Sequence, residues 1–231
     1  ETWSAGSFAR AAEPVLQELI ATNGVAIIVG GSGLYIDALI KGLDPLPLGD
    51  HKIREQLQER YRTDGSEPLL NELKERDPAT WERIDKANPH RVIRALEVCI
   101  ASGRPFSEQR TTPQDRTDIR IVRIAMHMPR EQLYERIDQR VDAMIASGLL
   151  GEARALIPYK AHNALRTVGY RELFDHFAGN TTLDEAIALI KQHTRNYAKR
   201  QMTWLHRDTS WRFVSPSDPS ELIQLVDGLI R

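Results

Sequence analysis

A single cysteine, Cys99, in 231 residues excludes a disulfide framework and a cysteine-based zinc site, and fits a reducing compartment. Long apolar runs are missing too. VAIIV at 25–29 is five residues, far short of the ~20 that a membrane span needs, and no secretory signal opens the chain. The expectation is a soluble, cytoplasmic protein with no membrane partner. A net charge of −1 gives no global attraction to polyanions, so any such affinity must come from a local patch. The phosphate-loop pattern GxxxxGK followed by Ser or Thr occurs nowhere, nor does any internal repeat. The chain opens on Glu1 without an initiator Met, and is expected to be a fragment.

What is present in quantity is local charge. The segment IKQHTRNYAKRQMTWLHR, from Ile190 to Arg207, holds five Lys and Arg residues, two histidines and no acid, with Tyr197 and Trp204 interleaved. At helical spacing Lys191, Arg195 and Lys199 follow one another one turn apart, and Arg200, Trp204 and Arg207 make a second row. Like charges so placed repel by ~0.2–0.5 kcal/mol per pair, so a helix that carries them is suited to an anion. Cations hold phosphates and planar rings stack on unpaired bases, which points to a nucleic acid. A solvated basic face with both rings packed inward is the alternative, and charge patterning leaves the two open.

In chain order, Ser4 or Ser7 caps a helix running toward Ala21, bent or started by Pro14, and Asn23-Gly24 stops it. VAIIV then reads as a strand covered on both faces. Gly30-Gly31-Ser32-Gly33 leads into a helix that ends at Gly42. A strand, a glycine turn and a helix N-terminus form a usual ligand site of α/β sheets; the alternative is a tight turn with Ser32 as a plain cap. Residues 49–118 are dense in charge and carry helix caps at Asp50, Ser66, Asp77 and Asn88 without a strand signal, which predicts an all-helical insertion. Residues 119–128 and SWRFVSP read as strands of the returning sheet. Between them, Pro129 opens a helix whose Arg136 and Arg140 are expected to pair with Asp138 and Asp142, and Thr182 with Glu185 forms a capping box. The domains are therefore an α/β core at 1–48 and 119–231 and a helical insertion at 49–118.

Five stretches in order, SAGSF at 4–8, VGGSGLY at 29–35, NPHRVIRALE at 88–97, TVGYRE at 167–172 and AKRQMTW at 198–204, resemble the bacterial tRNA dimethylallyltransferases. The resemblance implies an α/β fold with a nucleotide-binding P-loop-type core, a parallel sheet and an inserted helical domain. It implies transfer of a dimethylallyl group from dimethylallyl diphosphate to N6 of the adenosine 3′ of the anticodon. The partners would be a tRNA anticodon stem-loop and the diphosphate, the cofactor Mg2+, and the protein a monomer.

By the same resemblance Ser32, where the family has a threonine, contacts the target adenine, and Arg140 in IDQRVDAM binds the prenyl diphosphate, which reverses the ion-pair reading. Arg54 contacts tRNA, as does the stretch His90, Arg91, Val92, Ile93, Arg94. So do Arg166, Thr167, Val168, Gly169, Tyr170 and Arg171. Lys199, Arg200, Gln201 and Met202 continue the set with Thr203, Trp204, Leu205 and His206. His206 departs from the family's arginine. The family's phosphate loop, general-base aspartate and magnesium ligands are expected upstream of Glu1. A non-catalytic RNA-binding fragment and a P-loop small-molecule kinase relative remain as alternatives.

Overall fold

The computed structural model describes residues 3–42, 46–47, 50–110, 115–216 and 219–230. The first four residues of the loop expected at 111–118 lie outside them. The helices are α1 (Ala5–Asn23), α2 (Gly33–Ile40), α3 (His51–Asp64), α4 (Glu67–Arg76), α5 (Pro78–Arg83) and α6 (Pro89–Ser102), then strand β1 (Ile124–Met126). They continue with α7 (Arg130–Ala146), α8 (Leu149–Ala155), α9 (Tyr170–Phe177), α10 (Leu183–Leu205), strand β2 (Arg212–Val214) and α11 (Pro219–Ile230). Two compact units result. One holds Ala5–Glu18 and Asp37–Asp118; the other holds Glu1–Ser4, Leu19–Ile36 and Ile119–Arg231.

The first unit is helical, and besides the range expected at 49–118 it takes in Ala5–Glu18 of α1 and the second half of α2 from Asp37. Its core is Leu57, Leu69, Leu73, Val92, Ile93, Ala95 and Leu96. Local chemistry sets its helix starts: Asp50 accepts from the Lys52 and Ile53 N–H groups, and Asn88 from that of Arg91. Ser66 makes no such bond. Pro68, in the first turn of α4, presets the helical φ there instead. Arg116 closes the unit by pairing with Glu13 of α1 at 2.7 Å and with Asp118 at 2.6 Å.

Asp77 is the tightest joint of this unit. Its carboxylate, 1% exposed, accepts from the Thr80 N–H and hydroxyl at the start of α5 and from the Ser107 N–H and hydroxyl thirty residues on. Burial pushes this carboxyl up, yet the bonds from Thr80 and Ser107 outweigh it and hold it below the usual range.

The second unit packs around Val141, Leu149, Ala153, Leu173, Ala186 and Ile190. Its sheet is two parallel strands, with Ile124 opposite Arg212 and Met126 opposite Val214. The strand expected over 119–128 is therefore only three residues long. The strand expected at 25–29 is not formed: Gly24 (φ +72) ends α1 as expected, but residues 25–30 join no ladder. Ile27 and Val29 are 80% and 90% exposed. A strand is stabilised by its neighbours' backbone groups, and among the described residues none is offered to this run. No helix among the described residues is long and apolar enough to cross a membrane.

Asp77→Ala should destabilise the protein by about 2–3 kcal/mol at pH 7, through the lost cap on the Thr80 N–H and the orphaned Thr80 hydroxyl, Ser107 N–H and Ser107 hydroxyl. Because the folded-state value lies below the unfolded one, the contribution is present above pH ~4 and lost as pH falls through the folded value. Urea unfolding should accordingly show the variant and wild type converging below about pH 4; a gap that stays constant would assign the effect to packing alone.

Candidate functional site

α10 organises the second unit. Its start is fixed by the reciprocal box expected from sequence: Glu185 accepts from the Thr182 N–H and donates its own N–H to the Thr182 hydroxyl. Ala186 and Ile190 are buried. The basic segment itself contains no acid, but α7 supplies two: Lys191 pairs with Asp142 at 2.7 Å and Arg195 with Asp138 at 2.5 Å. This corrects the expected pairing within α7. Both aspartates serve α10, and Arg136 and Arg140 stand exposed with no hydrogen-bond or ion-pair partner among the described residues.

Between His193 and Arg200 the side chains of α10 open onto a groove of about 360 Å³. Arg166, Thr167 and Val168 from the turn before α9, with Arg171 from its first turn, line it together with His193, Asn196, Tyr197 and Arg200 of α10. The turn depends on Gly169, whose φ of +107 suits no other residue type. Its N–H donates to Glu172 Oε2 at 2.7 Å. Glu172 is 2% exposed; its Oε1 also receives Arg171 Nη2 at 2.8 Å and lies 2.6 Å from His193 Nδ1. Burial pushes the Glu172 carboxyl up, but the Gly169 N–H, His193 and Arg171 together hold it below the usual range.

Further along, α10 packs on the glycine turn. Gln201 Nε2 donates to the Gly31 carbonyl at 2.8 Å. A Cβ on Gly31 would run into the Gln201 amide, and one on Gly33 into the Trp204 ring. Trp204 in turn meets Trp211 edge-on at 5.4 Å. The Ser32 carbonyl starts α2 by accepting from the Tyr35 and Ile36 N–H groups. Its hydroxyl caps nothing, having no protein partner among the described residues, and the residue is exposed.

The remaining expected positions divide by environment. Lys199 and Arg200 are exposed, and Arg200 lies 5.6 Å over the Tyr197 ring. Met202 and Leu205 are half-buried, and the Thr203 hydroxyl is spent on the Lys199 carbonyl. His206, the departure from the family, bonds the Met202 carbonyl through Nδ1 and stacks on Phe213 at 4.9 Å. In the turn and the start of α9, Arg166, Thr167 and Arg171 are exposed, while Val168 and Tyr170 pack on the core. The other unit carries the rest. His90 and Arg91 are exposed; Arg54 and Arg94 both bind Glu97, itself 1% exposed, at 2.8 and 3.1 Å. Val92 and Ile93 are core residues, so their side chains offer nothing to a ligand, contrary to expectation.

Sequence reading missed the Glu172–His193 pair and Asn196. TVGYRE and the two histidines were in view, but nothing local says that residues 21 apart meet. Among the described residues no group of three or more His, Cys, Asp or Glu could hold a metal ion, so the magnesium implied by resemblance finds no ligand set there and no step is assigned to it.

The comparisons agree with one another. The family model "IPP transferase" matches residues 1–208. The tRNA dimethylallyltransferase of Cytophaga hutchinsonii is 40% identical over all of this chain and 76% of its own length. That of Christiangramia forsetii is 45% identical over 90% of this chain and 69% of its own. Among solved structures, the tRNA isopentenylpyrophosphate transferase of Bacillus halodurans superposes with a TM-score of 0.64 at 31% identity, over 100% of this chain and 73% of that one. A eukaryotic dimethylallyltransferase solved acting on tRNA shares the fold, with a TM-score of 0.69 at 23% identity over 89% of this chain and 53% of that one.

Gly33→Ala should lose about 1–3 kcal/mol, because the added methyl displaces the Trp204 ring. Near-UV circular dichroism of the Trp204–Trp211 pair should change with it. Gly30→Ala is the control, since a Cβ there meets open space; equal behaviour of the two variants would refute the contact.

Proposed function

The chain belongs to the IPP transferase family, and from that premise we propose that it is a tRNA prenyltransferase, moving a dimethylallyl group from dimethylallyl diphosphate to N6 of the adenosine 3′ of the anticodon. The observation that carries the reading is the seating of Gln201 and Trp204 on the glycine turn. One helix thereby joins the exposed Ser32 hydroxyl to the exposed cations Lys199 and Arg200 within a single unit. The finer fold proposed with it is the family's P-loop-type α/β core.

An adenine N6 amine shares its lone pair with the ring and is shielded inside a stacked helix. The base must therefore be unstacked into a pocket, at a cost of a few kcal/mol that is least for a nucleotide already in a loop. An anticodon loop suits this. Lys199, Arg200 and the groove arginines would hold the backbone, with Tyr197 and the Arg200 plane as stacking surfaces. The Ser32 hydroxyl, uncommitted to the protein, can hydrogen-bond the adenine edge. As diphosphate leaves the allylic carbon, charge builds on its oxygens and must be met by fixed cations. Arg140 fits this role because neighbouring carboxylates are already committed to α10.

Arg140→Ala should lower transfer in a prenylation assay by 10²-fold or more while leaving tRNA affinity within about two-fold; an equal loss of tRNA binding would count against the assignment. Arg200→Ala should weaken binding of an anticodon stem-loop and reduce the salt slope by about one. The same titration with guanosine at the target position tests the whole reading. Equal binding and no transfer would favour a non-catalytic RNA-binding module, and phosphate transfer from ATP would favour a kinase.

A further inference from the structure

Glu172 and His193 form a carboxylate–imidazole pair for which the transfer chemistry has no use; the imidazole lines the groove and the carboxylate is buried. The carboxylate is buried and ionised, accepting at both oxygens. An ionised oxygen 2.6 Å from His193 Nδ1 requires a proton on that nitrogen. The neighbouring Arg171 Nη2, 3.2 Å from the same nitrogen, then meets an N–H and not a lone pair, so its bond goes to Glu172. The orientation of the imidazole is thereby fixed by a side chain that solvent does not reach. Nε2, without a protein partner among the described residues, is left for a ligand. In the neutral ring it accepts a hydrogen bond; in the imidazolium it donates one.

The rest of the wall says what that ligand is. Guanidiniums from Arg166, Arg171 and Arg200 suit phosphate oxygens, and Tyr197, 43% exposed with Arg200 over its ring, suits a base face. At about 360 Å³ the groove falls within the ~300–1,000 Å³ range of small-ligand pockets, which is room for one nucleotide. His193 precedes Gln201 by eight residues, about 12 Å along the helix, so this nucleotide is not the one at the glycine turn. With phosphate and base provided for, the remaining group is the ribose. Its 2′-hydroxyl is both donor and acceptor, so it pairs with Nε2 in either form of the ring, and it is what distinguishes RNA from DNA.

We propose that His193, oriented by the buried Glu172, is a specificity residue that reads the ribose 2′-hydroxyl of one unpaired nucleotide held in this groove. The proposal rests on the tRNA-binding reading above and adds a position at which the protein requires ribose.

The test uses the 231-residue chain and an anticodon stem-loop RNA, compared with a series of the same RNA each carrying one 2′-deoxy nucleotide, by fluorescence anisotropy. Wild type should bind one member of the series roughly five-fold more weakly, the effect of one neutral hydrogen bond. His193→Ala should bind the all-ribose RNA more weakly by the same factor and show no penalty at that position. Glu172 keeps its bonds from Gly169 and Arg171 in that variant, and far-UV circular dichroism checks its fold; should it not fold, the wild-type series still decides. Tight binding with no penalised position, or a penalty that survives in His193→Ala, overturns the proposal and leaves the prenyltransferase reading intact. Absence of RNA binding throughout overturns both.

Discussion

Two carboxylates of α7, one turn apart, sit on two cations of α10, also one turn apart, and the working surface of the second unit depends on this match. Asp138 takes Arg195 and Asp142 takes Lys191. These pairs are part-exposed, so each contributes at most ~1 kcal/mol; their consequence is allocation more than stability. They neutralise the first half of a segment that would otherwise repel itself, and leave Lys199, Arg200 and Arg207 as its exposed charges. They also occupy the aspartates on either side of Arg140 in the chain, and Arg136 and Arg140 stand exposed on α7.

Among the described residues each unit buries a glutamate beside basic side chains, and the two differ in how fully they are satisfied: Glu97 Oε1 has no hydrogen-bond partner, while both oxygens of Glu172 accept. Glu97 accepts from Arg54 and pairs with Arg94 through Oε2, Arg94 also donating to the Pro47 carbonyl; Glu172 accepts from Gly169, Arg171 and His193. Desolvating a carboxylate costs several kcal/mol unless donors replace the lost water, so each glutamate draws basic side chains inward and fixes their direction. Groups proposed to contact RNA are thus oriented from below by acids the RNA would not touch. Arg54 and Arg94 are shared between that structural bond and any ligand, which makes them weaker candidates for pure phosphate contacts than the exposed His90 and Arg91.

What the sequence made legible was what is local. The caps at Asp50, Asp77 and Asn88 and the Thr182–Glu185 box act over three or four residues, and each is present. Ser66 failed because its own backbone is helical, at φ −82 and ψ −26, whereas a capping residue must be extended for its side chain to reach the N–H groups ahead. The run at 25–29 failed because a strand is a relation between two segments, and periodicity shows only one of them. The α7–α10 pairs join residues 49 and 57 apart, and Glu172–His193 joins residues 21 apart; no spacing rule reaches so far. The family, in contrast, was legible from five short motifs in order, none of which required the fold.

The division of labour along α10 follows from its pitch. At 100° per residue, Ala186, Ile190, His193, Tyr197 and Trp204 fall within a sector of about 60°. The face that is core in the first two turns therefore continues, without a kink, into the groove wall and then the glycine turn. Lys191 and Arg195 fall on the other side of the wheel. A helix so arranged cannot adjust its site independently of its core: a slip of one residue at Ala186 and Ile190 would rotate His193 and Trp204 by about 100°, away from Glu172 and from Gly33. The small side chain of Ala186, fully buried against its neighbours, is in this sense as much a determinant of the groove as the arginines that line it.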